Sequence, residues 1–288
     1  MKSTHYLAYP LLVIWALVTS GAFAQYNCSI YTDSSYARAC RLYNASDSFY
    51  QGSPQCQYYL DSSIAVCPRF APAWHEKSVP YLKRGDFITW KRLIDRAVEL
   101  DPLQFLQYRG WCRFKFLRDY EGALLDLKRY DTLTGFRHNY SNDGNYELHI
   151  IMALCERELG HMQEAWRYFA MGIDSVRAQG GNAALGLYDY LHLAVTKMRT
   201  GDYPGAIKAL REENNKYDKF ADTYYYLGCI YLLTGNGQLA RQYLMQAKAL
   251  ISDHSGKYHV YDIYCQMPDV VYPSDIDSAL ARLASSGP

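Results

Sequence analysis

Eight His, eight Cys and 29 Asp or Glu could furnish several kinds of active centre, so their spacing decides whether one is present. The His stand at 5, 75, 138, 149, 161, 192, 254 and 259, and no two helical ones fall four apart, as paired zinc ligands on one helix face would. No HExxH, GxSxG or GxxxxGK run occurs, which removes the signatures of zinc hydrolases, serine-nucleophile elbows and phosphate loops. There is also no CxxC, hence no zinc knuckle and no thioredoxin-like redox pair. Carboxylates are abundant, but on amphipathic helices charges normally occupy the solvated face. The chain is therefore expected to bind rather than to catalyse, and neither a cofactor nor a metal is implied.

Composition narrows what it could bind. Residues 1–24 read as a cleaved export signal: Lys2 precedes the apolar run Leu11 to Val18, too short to span a bilayer, and Ala22-Phe23-Ala24 puts small residues where a signal peptidase cuts. Gln25 would become the first residue, and because Cys28 does not directly follow the cut, a soluble product is expected rather than a lipid-anchored one. No second long apolar run follows, so a secreted or periplasmic chain without an integral membrane segment is expected. Of 30 basic and 29 acidic residues only Lys2 falls in the signal, which leaves a balanced chain. That balance, without a Lys/Arg run longer than two, argues against nucleic acid as a partner. Cys28, Cys40, Cys56 and Cys67 cluster at the N-terminal end and are the expected disulfide staple, with the pairing open. Cys112, Cys155 and Cys229 sit at apolar helical positions and read as small buried residues. Asn27, Asn44 and Asn139 each begin an N-x-S sequon, which matters only in a eukaryotic cell.

The elements that carry these residues repeat. Residues 71–104 contain Trp74, Tyr81, Gly85-Asp86-Phe87, Ile94, Ala97 and Asp101-Pro102, the punctuation of a helical hairpin. The same turn followed by a small residue returns at Arg118-Asp119-Tyr120 with Ala123, Gly160-His161 with Ala165, Gly201-Asp202-Tyr203 with Ala206, and Gly235-Asn236 with Ala240. A more degenerate copy begins near Ala37, with Gln51-Gly52 at its turn and Cys56 at the small position. The period of about 34 residues and these residue types resemble the tetratricopeptide repeat. The resemblance implies an all-α fold, a right-handed α-solenoid of about six helical hairpins. The small residues stand where the paired helices come closest; Trp90 departs from that rule. Pro273 followed by Ser274, Asp275 and an apolar helical pattern predicts a capping helix with Ser274 as its N-cap. The organisation is then a signal at 1–24, a lead at 25–36, the array at 37–253, and an irregular segment with the capping helix at 254–288. The two middle intervals exceed one period and carry insertions, expected as loops at 133–144 and 177–182. The third unit holds one residue too many between Gly110 and Asp119.

In the family that this array resembles, the first helices of successive units line a concave groove. Carried over residue by residue, that groove contains Arg41, then His75, Val79, Leu82 and Lys83, then Gln107 and Trp111, then Leu154 and Arg157, then Tyr188, Leu191 and Arg199, then Tyr225 and Leu232. Aromatic and aliphatic surface with several cations suits an extended peptide that has apolar anchors and a carboxylate. The expected role is an exported scaffold for a peptide or protein partner. Two alternatives are a carbohydrate-binding or carbohydrate-active protein, given 29 Tyr, and a structural subunit of an envelope assembly.

Overall fold

Every hairpin turn holds a left-handed residue, and in five of the six the next residue caps the following helix through its side chain; His161, after Gly160, makes no such bond. Gly201, at φ +82°, ends one helix in a conformation that a Cβ would strain, and the next residue, Asp202, accepts a hydrogen bond from the Gly205 N–H to start the second. Asp86 and Asn236 cap their helices in the same way. In the third unit Arg118 takes the left-handed conformation at φ +53°, with Asp119 as its cap.

The computed structural model describes residues 25–137, 139–252 and 268–285. The export signal expected at 1–24, His138 and most of the irregular stretch after Ser252 lie outside them. The described residues form an all-α fold with no strand and thirteen α-helices. Twelve of them make six hairpins: α1 (Ser34–Ser46) with α2 (Pro54–Val66), α3 (Ala71–Lys83) with α4 (Phe87–Leu100), and α5 (Pro102–Cys112) with α6 (Tyr120–Thr134). They continue as α7 (Leu148–Glu158) with α8 (Met162–Gly180), α9 (Leu187–Arg199) with α10 (Tyr203–Lys216), and α11 (Ala221–Leu233) with α12 (Gly237–Ser252). The thirteenth, α13 (Pro273–Ser285), packs on α12 and α11.

The chain divides into two compact units after Ala73. In the first, α1 and α2 enclose Ala39, Cys40, Cys56, Leu60, Cys67 and Phe70. The rings of Tyr26, Tyr31, Tyr36 and Tyr43 surround Phe70 at centroid distances of 5.9 to 6.4 Å, which accounts for several of the N-terminal tyrosines. A disulfide joins Cys28 in the lead to Cys40 on α1, while Cys56 and Cys67 are buried in the same core.

In the second unit the expected small residues Ala123, Ala165, Ala206 and Ala240 are fully buried, and so is Trp90. Close approach within hairpins is allowed by Gly110, Gly172 and Gly228. A Cβ on Gly228 would stand 2.7 Å from Leu244 Cγ, and one on Gly110 would stand 2.9 Å from Leu127 Cγ. Because Leu244 is itself wholly buried and has nowhere to retreat, Gly228→Ala is expected to cost about 1–3 kcal/mol through overpacking. Urea unfolding of the two proteins checks this; a loss below about 0.5 kcal/mol would mean the α11–α12 pair relaxes freely.

Three expectations change in detail. The extra residue of the third unit is absorbed as a π-helical turn at Arg113–Leu117, the usual way a helix accommodates one surplus residue. The insertion at 177–182 is not a loop at its start: Val176 is buried, Ala178 and Gln179 favour helix, and α8 runs on to Gly180. It ends where Gly181 turns left-handed and a short 3-10 turn, Gly181–Ala184, follows. Ser274 is not the N-cap of α13. The helix starts one residue earlier with Pro273 at its first position, and Asp275 accepts from the Tyr272 N–H.

Candidate binding groove

The first helices α7, α9 and α11 lie side by side, and their sequences place polar groups deep between them. Arg157, the tenth residue of α7, has its side chain fully enclosed. Such a charge persists only with a hydrogen-bonded counter-charge, and Asp269, from the segment preceding α13, supplies one. The Arg157 guanidinium donates through both terminal nitrogens to the two Asp269 oxygens, at 2.8 and 3.0 Å, a forked geometry well matched to a carboxylate. It also donates to the Thr196 hydroxyl at 3.0 Å and to Glu158 at 3.0 Å. On α9, His192 donates from Nδ1 to Asp269 at 2.8 Å, and Arg199 stands 3.4 Å from the same carboxylate while it binds Glu158 at 2.8 Å. Burial pushes the Asp269 carboxyl upward, but the charge of Arg157 and the His192 hydrogen bond outweigh it and hold it at about 2. Burial, against the pull of Asp269, lowers the pKa of His192, so the ring is a neutral donor there.

Residues 268–272 enter the groove as a turn at 268–269 followed by irregular chain. Tyr226 donates its hydroxyl to the Asp269 carbonyl at 3.0 Å, and the Val271 N–H donates to Asp222 at 2.7 Å. The Val271 side chain is buried with Tyr224, Ala247, Ile251 and Ile276. Asp269 itself has φ +68°, a conformation unfavourable for a residue with a Cβ and tolerated where surrounding contacts fix it. Beside the segment a polar cavity of about 330 Å³ opens, lined by Arg118, Tyr120, Glu158, Arg199, Tyr225 and Asp275 among others.

The inserted loop after α6 closes the neighbouring stretch. Tyr146 is buried with its ring 5.7 Å from that of Tyr188 and 5.6 Å from that of His192. The loop is fastened by Lys115 to Asp143 at 2.7 Å and by Gln107 to the Tyr140 carbonyl at 3.0 Å.

The groove residues expected from sequence fall into separate groups. Arg157, Arg199 and Tyr225 converge around Asp269, with Tyr188 next to His192 beneath the loop. Leu154 and Leu191 are buried. His75 stacks on Phe105 and meets Tyr108 edge-on, and burial drops its pKa to about 4. Trp111 is buried against Tyr108 and Phe116, with Lys115 over its ring. Val79 and Leu232 are half-buried, and Lys83 is exposed. Arg41 is exposed on α1 of the first unit. Sequence reasoning missed Asp269, Thr196 and Tyr146. The run Pro268-Asp269-Val270-Val271 is β-branched and unsuited to helix, which is the one signal that could have marked it as an extended insert. Among the described residues no group of three or more His, Cys, Asp or Glu could hold a metal ion.

Six helical hairpins in succession along the chain are the architecture of a helical-repeat protein. Within that class the chain carries a tetratricopeptide repeat and has the tetratricopeptide fold: residues 221–254, which span α11 and α12, match the family model for that repeat. Comparison with curated proteins finds no match. Among solved structures the chain is similar to PilW, a widely conserved type IV pilus biogenesis factor, at 16% identity and a TM-score of 0.58 over 74% of this chain and 93% of that one. It is similar to PilF of Pseudomonas aeruginosa at 14% identity and a TM-score of 0.57, over 76% and 94%. It is also similar to YrrB, described as a TPR protein with an unusual peptide-binding site, at 16% identity and a TM-score of 0.50, over 68% and 94%. At these identities the likeness concerns the fold.

Proposed function

We propose that this protein is an exported interaction scaffold whose groove between α7, α9 and α11 binds an extended peptide segment of a partner protein. One observation carries the reading: that groove already holds a non-helical piece of the chain's own polypeptide through a buried carboxylate, one carbonyl, one N–H and one aliphatic side chain. These are the handles by which grooves take peptides, with main-chain hydrogen bonds for affinity and pockets for specificity. The peptide-binding site named for YrrB lends the reading a precedent on a similar fold. Export is supported by the signal-like residues 1–24 and by the Cys28–Cys40 disulfide, since disulfides persist in oxidising compartments. Among the described residues no helix is long and apolar enough to cross a membrane.

The test is capture from the envelope or secreted fraction of the source cell by the processed chain and by its Arg199→Glu and Tyr225→Ser variants. Both positions are at least partly exposed in the cavity; because Arg199 pairs with Glu158 and stands near Asp269, thermal melting of each variant comes first and capture is compared between folded proteins. The wild type is expected to retain a partner that cross-links through an extended segment, and each variant to lose at least about tenfold of it, the scale of one good interface contact. Equal capture by all three would place the binding surface elsewhere.

A further inference from the structure

We infer that the Arg157, His192, Thr196 and Arg199 cluster is a receptor for one aspartate of the partner peptide, and that Asp269 is a built-in competitor for it. The inference rests on the peptide-binding reading of the groove and specifies its ligand and its control. The cluster presents a fork of guanidinium donors, an imidazole N–H and a second arginine to one point. Three of the four side chains come from α9 and one from α7, so the receptor belongs to the groove walls, and only its occupant comes from the segment before α13. That occupant is held in a left-handed backbone conformation, a cost that weakens the built-in segment's hold on the cluster.

The ligand follows from the contacts. It is an acidic peptide in which aspartate, its carbonyl meeting Tyr226, is followed two residues on by a branched aliphatic residue whose N–H meets Asp222 and whose side chain fills the pocket of Val271. A tethered competitor works at an effective concentration of about millimolar. If the segment occupies the groove in about 99% of molecules, the partner's apparent affinity falls by about 100-fold. Partners that bind there must therefore be tight or locally concentrated.

The test is fluorescence anisotropy with a labelled peptide spanning Pro268 to Ser274, capped at both ends, titrated with the full chain. Two variants loosen the built-in segment differently: Asp269→Asn removes its charge, and Val271→Ser weakens its anchor while every cluster residue stays in place. Either folded variant is expected to bind the peptide at least about tenfold more tightly than the wild type. The same peptide with asparagine for aspartate should lose at least tenfold, and adding Arg157→Met to the variant should abolish binding. Failure of both folded variants to bind, or equal affinity for the aspartate and asparagine peptides, overturns the inference. A Val271→Ser chain that dimerises in light scattering, and is returned to monomer by the peptide, would assign the receptor to a second copy and overturn the partner's part in it. The capture experiment separates the two readings. Partner loss in Arg199→Glu without peptide binding leaves the scaffold standing and removes the aspartate receptor; peptide binding with unchanged capture does the reverse.

Discussion

Asp269→Ala is expected to lower the unfolding free energy by about 3–5 kcal/mol, the range found when one partner of a buried ion pair is removed. The size follows from what is left behind. Arg157 is enclosed between α7 and α9, and without Asp269 its guanidinium keeps only the Thr196 hydroxyl and the carboxylate of Glu158, which Arg199 also uses. The charge cannot leave by losing its proton, so water must enter or the segment must detach. Asp269→Asn should cost less, because an amide can still accept from Arg157, although without charge assistance. Arg157→Met combined with Asp269→Leu should recover most of the loss, since apolar replacements of a buried pair are often neutral. Urea unfolding of the four proteins, followed by tryptophan fluorescence, measures the set. A loss below about 1 kcal/mol for Asp269→Ala, the level of a solvent-exposed pair, would mean that water already reaches the site.

The same residues show where sequence reading succeeds and where it stops. Hairpins were legible because each is fixed by local chemistry: a residue that tolerates the left-handed conformation, a polar cap after it, and small residues where helices touch. Even Arg118 fits, since its turn is recognised by Asp119 and Ala123. Arg157, Arg199 and Tyr225 were expected groove positions because the resemblance to the tetratricopeptide repeat carries them over onto the first helices. What fills the groove was not. Asp269 meets Arg157 across 112 residues of sequence, and nothing in the spacing of either reports the other. Tyr146 likewise reads as a loop tyrosine, and only the fold brings it between Tyr188 and His192. The helical end of the insertion at 177–182 was hidden because Gly180-Gly181 reads as a breaker, while the burial of Val176, which prolongs α8, is a tertiary fact.

Stability is expected to decline as pH rises from about 6.5 through about 9, an alkaline loss centred on His149. His149 opens α7 with carboxylates at both ring nitrogens: Nδ1 meets Glu147 at 2.8 Å and Nε2 meets Asp131 at 2.9 Å. Only the imidazolium can donate to both. Burial by itself would lower the pKa, but the hydrogen bonds to Asp131 and Glu147 and their charges reverse this and raise it to about 9. Because the folded value lies above the unfolded one, the contribution is complete below pH 6.5 and is lost as pH rises through 9. A shift of this size corresponds to about 3 kcal/mol at most, and solvent screening reduces the expected change to about 1–2 kcal/mol. Asp189, raised to about 6 chiefly by burial, adds a decline of its own that is largely over by about pH 7. Glu213, raised by burial in the α10–α11 region, contributes a slope that a variant can subtract. Urea unfolding at intervals between pH 6 and 10 should therefore show a decline in the wild type that is shallower by that amount in His149→Gln, and parallel curves would remove the buried imidazolium from the account. The consequence reaches the groove. Glu147 ends the loop that carries Tyr146 and also caps α7 through the His149 and Ile150 N–H groups, so neutralising His149 slackens the loop against Tyr188 and His192. Peptide affinity should then fall in the same pH range in the wild type, and the fall should be smaller in His149→Gln.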